Sequence, residues 1–274
     1  PGPTSVWTWP GATASAACIP LNRRSVLLLA VALLSAAAGW FLPHWLLVSQ
    51  PSFVIACLLA AVQEALLFGL PALMLLRLRG FTAAQLKERL GRADPYYLGL
   101  TMVSAVSYTL AGSLIGALFY ILLTSLGLKL SLPDVIMPAN LTELAVAALT
   151  IGGVTAVCEE MMFRLALPEL LGARLNRRAA ALISSLLFAL MHFNLIGIPT
   201  LIIFALFAHR LMARHGSLLL PILFHAMYNF SILVMNHKEA APGFGMMLLC
   251  AGLFVLSARL LLKEENNAAD RTRQ

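Results

Sequence analysis

Charged residues are scarce in this sequence. Asp, Glu, Lys and Arg make up only 11% of the 274 residues, whereas 60% are hydrophobic and the mean hydropathy is +0.87. Such a composition excludes a soluble globular domain and predicts an all-helical integral membrane protein. The net charge of +7 comes from Lys and Arg in short loops between apolar segments. Membrane topology explains that placement, so we expect no nucleic-acid partner.

Cysteine is also rare, and its spacing excludes a cysteine-based metal site. The four residues Cys18, Cys57, Cys158 and Cys250 form no CxxC pair, and three of them fall in apolar segments, where a small packing residue is expected. Cys158 adjoins Glu159, but no nearby base is dedicated to it, so a cysteine nucleophile is not favoured.

Apolar segments predict a polytopic bundle of about eight transmembrane helices. Residues 1–22, which carry no charge, are interpreted as a disordered leader or extension, and the first span as uncleaved. The predicted spans are 25–42, 53–76, 97–128, 141–171, 179–193, 196–213, 217–236 and 243–262.

The basic residues test this count. With a cytoplasmic N-terminus, sixteen of the 19 Lys and Arg lie on the inner side, and only Lys129 and Lys238 lie outside. This asymmetry predicts eight spans with both termini in the cytoplasm, in the inner membrane if the source is prokaryotic.

The spans group into three parts after the leader. Residues 23–140 hold the first three helices and a cytoplasmic loop at 77–96, residues 141–236 hold a core of four helices, and residues 237–274 hold the last helix and a polar tail. Within the loop, residues 81–94 predict a short amphipathic helix on the membrane surface, where its basic side chains would meet lipid.

The third span poses a separate problem. At 32 residues it is longer than a bilayer requires, so it must tilt, protrude or break near a glycine. Gly112 and Gly116 within it form a GxxxG pair, which is typical of close helix packing.

Three ionisable residues, Glu159, Glu160 and Arg164, lie within the stretch 158–168 of the apolar segment 141–171. Glu160 and Arg164 are four residues apart and share a helical face, so they can neutralise each other. Glu159 is rotated by about 100° and has no partner in its own helix. Because a charge at bilayer depth costs about 2.5–3.5 kcal/mol, these residues must pair or line a wet cavity. Glu64, in the second span, is interpreted as a protonated carboxyl or an interhelical hydrogen-bonding group.

Two further polar pairs are expected at the same depth. Phe188 and His192 lie in FALMH, and His225 and Asn229 lie in HAMYN, each pair on one helical face. Such a set can bring water to a peptide bond, with Glu159 and His192 as base and His225 and Asn229 as oxyanion donors. Glu159, His192 and His225 are equally the ligand types of a hydrolytic zinc site. The residues alone leave both mechanisms open.

The ordered set EEMMFR, FALMH and HAMYN resembles the EExxxR, FxxxH and HxxxN motifs of the CAAX protease and bacteriocin-processing (CPBP, or Abi) family of intramembrane endopeptidases. The likeness covers about residues 156–232. It implies that Glu159 and His192 activate water, that Glu160 and Arg164 support the site, and that His225 and Asn229 stabilise the oxyanion. The HExxH pattern of zincins and site-2 proteases is absent. The mechanism preferred here requires no cofactor, with zinc as the alternative.

Three functions compete for this pattern. The first is an intramembrane endopeptidase acting on a membrane-associated or precursor protein. The second is a non-proteolytic bacteriocin-immunity or scaffold protein that keeps the polar core for stability. The third is a proton-coupled transporter, which is disfavoured because the sequence shows no internal repeat.

Overall fold

The computed structural model describes residues 52–130 and 137–263, together with Arg23, Val26, Leu27, Leu29 and Ala30. The predictions for the leader, for most of the first span and for the C-terminal tail lie outside the described residues.

The described residues form helices joined by short loops, in agreement with the predicted all-α class. In chain order these helices are α1 (Phe53–Leu78), α2 (Ala83–Leu90), α3 (Pro95–Ser125), α4 (Leu141–Leu171), α5 (Arg177–Met191), α6 (Ile198–His215), α7 (Leu219–His237) and α8 (Phe244–Leu262).

Five of these helices, α1, α3, α4, α7 and α8, are long and apolar enough to cross a membrane. The helices α5 and α6 fall at the predicted fifth and sixth spans, but α5 has only 15 residues, fewer than the roughly 20 that a bilayer requires. Arg210 and Arg214 lower the hydropathy at the end of α6. The count of eight spans therefore stays a prediction.

The long third span is one unbroken helix. Asp94 caps α3 by accepting a hydrogen bond from the Tyr96 amide at 2.8 Å, and Pro95 occupies the first turn, where its missing N–H costs nothing. The 31 residues of α3 extend about 46 Å. The predicted break near a glycine is therefore wrong, whereas tilting or protrusion of the helix stays a prediction.

The predicted surface helix is present as α2. Thr82 and Gln85 form a capping box at its start, and Gly91 ends it with a φ of 64°, a backbone conformation that glycine adopts most readily. Ser217 donates a hydrogen bond to the Leu90 carbonyl at 2.8 Å. This contact ties the surface helix to the loop between α6 and α7.

Helix α3 packs against α6, α7 and α8 in the centre of the bundle. Ser104 of α3 donates to Ser257 of α8 at 2.7 Å, and the Tyr108 hydroxyl donates to the Thr200 carbonyl of α6 at 2.5 Å. On the other side, the Ser184 hydroxyl of α5 donates to the Phe163 carbonyl of α4. These three buried hydroxyls thus find acceptors on neighbouring helices, as an apolar surrounding favours.

The two glycines of the GxxxG pair have different environments. A Cβ added at Gly112 would lie 2.8 Å from Cγ2 of Thr200, whereas a Cβ at Gly116 would meet no atom within 4 Å. Only Gly112 permits the close approach of α3 and α6 that the pattern predicts.

Gly112→Leu is therefore expected to destabilise the protein by about 1–3 kcal/mol, the usual cost of overpacking. The matched control is Gly99→Leu, on the exposed surface of the same helix with open space around it. Thermal unfolding of the two purified variants in detergent measures the difference. Equal melting temperatures would contradict the assignment of Gly112 as the packing glycine.

Candidate functional site

Helix α4 changes its winding on both sides of its two adjacent glutamates. The segments Ala148–Thr155 and Met161–Ala166 are π-helical, and the α-helical turn Ala156–Glu160 lies between them. A π-helical turn shifts the facing of the residues that follow it, and such turns are frequent at functional sites. Here Glu159 and Glu160 are both buried, and the carboxyl of each lies near His225 of α7.

Glu160 is the most enclosed carboxyl of the site, with a side-chain exposure of 0%. Its Oε2 lies 2.9 Å from Nε of Arg164, and its Oε1 lies 2.9 Å from Nδ1 of His225. The guanidinium of Arg164 stacks over the Phe188 ring, 4.5 Å from its centroid, a favourable contact for a desolvated cation. The predicted Glu160–Arg164 pair is present, and the contact of Glu160 with His225 connects it to α7.

His225 joins the two glutamates. Its Nδ1 faces Glu160, and its Nε2 lies 3.6 Å from Oε2 of Glu159. The imidazole is 3% exposed and rests edge-on against the Phe204 ring at 5.0 Å. Nδ1 lies at hydrogen-bonding distance from the Glu160 carboxyl, whereas the separation between Nε2 and Glu159 is too long for a hydrogen bond.

His192 lies at the end of α5, where the helix gives way to a turn. Its Nδ1 is 2.8 Å from the Phe188 carbonyl. Because a carbonyl oxygen only accepts, Nδ1 carries the proton, and in the neutral ring Nε2 keeps its lone pair. The next residue, Phe193, has a φ of 47°, which is uncommon for a residue with a side chain. The strained turn therefore follows directly on His192.

Asn229 lies one helical turn beyond His225 on α7. Its Nδ2 donates a hydrogen bond to the Ile151 carbonyl at 3.0 Å. Ile151 belongs to the first π-helical segment of α4. This bond fixes the carboxamide and leaves one N–H of the same nitrogen for another acceptor.

A cavity of about 440 Å³ adjoins these groups. His192, His225 and Asn229 all contribute to its wall, with Phe188 and Phe204 beside them. Glu159 is not among the lining residues, and His225 lies between its carboxyl and the cavity. Two imidazoles and a carboxamide thus meet at one space large enough for a short peptide segment.

Sequence reasoning named the polar residues of this site but missed most of the cavity wall. Thr109, Ser113 and Gly116 of α3 line it, together with Asn194 after α5 and Asn236 at the end of α7. For the α3 residues the signal was Thr, Ser and Gly at spacings of three and four residues, of which only Gly112 and Gly116 were interpreted, as a packing pair.

The chain holds a second acid close to Glu159. Glu64 of α1 interacts electrostatically with Glu159, and its Oε2 is buried without a hydrogen-bond partner in the part of the chain that the structure describes. It lies directly before the π-helical turn Ala65–Gly69. Cys158 packs here, since its Sγ would lie 2.9 Å from a Cβ at Gly69, as expected for a packing cysteine.

The predicted zinc ligands do not converge in this arrangement. Across residues 52–130 and 137–263, no group of three His, Cys, Asp or Glu side chains is placed to hold a metal ion. Of the predicted set, His225 directs its nitrogens to Glu160 and Glu159, and Nδ1 of His192 is engaged by a backbone carbonyl. As placed, these donors do not fit a metal ion.

The comparison with known families covers the same helices. Residues 141–231 match the family described as type II CAAX prenyl endopeptidase Rce1-like, about a third of the chain. The match includes all three motifs and begins upstream of the segment on which the resemblance rested. No curated protein and no solved structure matches the chain.

Removal of Glu160 is expected to cost more stability than removal of Glu159. Glu160→Ala leaves Arg164 buried without its carboxylate, which costs about 3–5 kcal/mol for a broken buried pair, whereas Glu159 has only the longer contact with His225. Thermal unfolding of Glu160→Ala, Glu159→Ala and wild type in detergent measures this.

The double variant Glu160→Leu/Arg164→Met serves as the control, because it removes both charges and should recover much of the loss. Equal melting temperatures for the two single variants would contradict the division of roles between the glutamates.

Proposed function

Because residues 141–231 match the Rce1-like type II CAAX prenyl endopeptidase family, we propose that this chain is an intramembrane endopeptidase that hydrolyses a peptide bond of a membrane-associated or precursor protein. The protein is an integral membrane protein, as its apolar helices and its family both indicate. The single observation that supports hydrolysis best is the shared cavity, where His192, His225 and Asn229 face one space.

In the proposed reaction, water is held at the cavity wall beside His192. The unprotonated Nε2 of His192 accepts a hydrogen bond from the water, and Glu159 supplies the negative charge that draws its proton away. The water oxygen then attacks the carbonyl carbon of the scissile bond. The water proton passes to Nε2 of His192 as the tetrahedral oxyanion forms.

The oxyanion is stabilised from α7. Nε2 of His225 and the remaining N–H of Asn229 are the donors, and each is already held in place by its other contact, with Glu160 and with the Ile151 carbonyl respectively. Donors fixed before the reaction need no reorganisation as charge develops. The stored proton finally goes to the departing amine nitrogen, and the C–N bond breaks to give a new carboxylate and a new amine.

Glu160 and Arg164 act behind the reacting groups in this proposal. Their ion pair sets the position of the His225 ring, because Glu160 contacts both Arg164 and His225. Arg164 also stacks on the Phe188 ring, and the backbone carbonyl of Phe188 holds the His192 ring. The family's EExxxR and FxxxH patterns acquire a physical reason from these contacts. The arginine connects both histidines without lying in the wall of the cavity.

Glu159→Gln is expected to lower proteolysis by about 10²–10⁴-fold, the usual share of a general base, while preserving the fold. The measurement is quantitative proteomics of new peptide termini in membrane fractions from cells with matched levels of wild type or variant. Termini that disappear with Glu159→Gln identify the substrate.

Glu88→Gln, on the exposed surface helix, is the matched control and should leave all termini in place. Unchanged termini in Glu159→Gln, with the variant folded, would overturn the protease and favour the immunity or scaffold function.

We further propose that the reaction proceeds without a bound metal. Cleavage of a substrate identified by those termini is then expected to persist after the purified enzyme is dialysed against EDTA and treated with 1,10-phenanthroline. Metal analysis of the active protein should give far less than one zinc per chain. Activity that is lost on chelation and restored by Zn²⁺ would overturn this part of the mechanism.

A further inference from the structure

The bundle has two chemically different ends. At one end, which we call the basic end, Ser217 bonds to Leu90 and the Arg214 guanidinium donates to the Lys263 carbonyl at 2.8 Å. These contacts join α2, the α6–α7 loop and the end of α8. The opposite end is marked by His237, whose Nδ1 lies 2.7 Å from the Pro138 carbonyl, where α7 ends and α4 begins.

Basic side chains are concentrated at the first of these ends. Within residues 52–130 and 137–263, the opposite end holds only Lys129 and Lys238, and Arg164 lies between the ends. The basic end holds Arg77, Arg79, Lys87, Arg89, Arg92, Arg174, Arg177, Arg178, Arg210, Arg214, Arg259 and Lys263. Because loops rich in Lys and Arg stay in the cytoplasm, this distribution assigns the basic end to the cytoplasmic face.

The cavity extends toward the opposite end. Its inner wall is closed by Phe188, Phe204 and His225, all buried. From there the lining continues to Asn194 in the α5–α6 loop and to Asn236 in the last turn of α7, both partly exposed. A space that is closed in the middle of the bundle and lined by partly exposed residues at one end opens at that end.

The lining also restricts what can enter. It contains no Asp, Glu, Lys or Arg, and its polar groups besides the two histidines belong to Ser, Thr, Tyr and Asn. Hydroxyl and carboxamide groups satisfy the N–H and C=O groups of a peptide backbone. A free terminal carboxylate or a charged side chain would find no opposite charge there, at a high desolvation cost. The open space beside Gly116 leaves room for the peptide chain of a substrate.

From these observations we propose that the cavity takes its substrate from the non-cytoplasmic face, as an uncharged, extended segment of an exported protein or peptide. Cleavage of that segment rests on the proposed endopeptidase function, whereas the direction of entry does not. The substrate class then differs from a cytoplasmic protein presenting a charged C-terminus.

Cysteine labelling tests the direction of entry without requiring activity. In a Cys18→Ala background, Gly116→Cys reports on the cavity, Ser125→Cys on the opposite end and Ala84→Cys on the basic end; Ser125 and Ala84 are both exposed. Cys57, Cys158 and Cys250 are buried, so the background protein measures their residual labelling. Intact cells or spheroplasts are treated with a small membrane-impermeant maleimide, before and after permeabilisation.

We expect Gly116→Cys and Ser125→Cys to label in intact cells, and Ala84→Cys to label at least tenfold more after permeabilisation. Ser113→Cys, about one turn deeper in the cavity, should behave as Gly116→Cys does and covers the case in which that variant does not fold. Labelling of Ala84→Cys but not Ser125→Cys in intact cells would overturn the proposal, since the cavity would then face the cytoplasm. Labelling of Ser125→Cys with both cavity variants unreactive would also overturn it.

The substrates provide the second readout. Termini lost in Glu159→Gln are expected in exported proteins, with uncharged residues on both sides of the cleaved bond, and termini in cytoplasmic C-terminal peptides would contradict the inferred class. If the cysteines are labelled as expected and no peptide termini change, the proposed endopeptidase function is wrong, whereas the inferred direction of entry is supported.

Discussion

The structure depends on the neutralisation of Arg164 inside an apolar bundle. A guanidinium cannot lose its proton, so its charge must be matched by contacts. Glu160 supplies the carboxylate and Phe188 supplies an aromatic face. Because these partners come from α4 and α5, and Glu160 also reaches His225 on α7, one buried charge fixes the relative positions of three helices.

The same contacts place the reactive groups. The Glu160 carboxylate orients His225, while Phe188 holds the Arg164 guanidinium with its ring and the His192 imidazole with its carbonyl. Stability and chemistry are therefore coupled in this core, and a change to the ion pair must alter the histidines as well. Glu159 differs, since it has no short ion pair and its contact with His225 is longer than that of Glu160. It is the carboxyl that a reaction can use at the smallest structural cost.

The π-helical segments give α4 a geometry that a regular helix would not have. In a regular helix Glu159 and Glu160 would face directions about 100° apart, and the expectation of two separate environments followed from that. Glu159 and Glu160 lie in the α-helical turn between two π-helical segments, and each carboxyl approaches a different ring nitrogen of His225, while Asn229 donates to the Ile151 carbonyl of the first π-helical segment. The irregular winding thus serves the site through backbone and side chain together.

The sequence by itself determined the membrane class, the helical segments, the Glu160–Arg164 pair and the three motifs on which the resemblance to the CPBP family rests. These features depend on local composition and on spacing along one helix, which a sequence displays directly. Only the tertiary structure decided that His225 contacts both glutamates, that Asn229 bonds to α4, and that Gly112 approaches Thr200 closely while Gly116 has open space beside it. Those outcomes depend on which faces of separate helices meet and on how α4 is wound, and neither the 3.6-residue period nor any single motif contains that information.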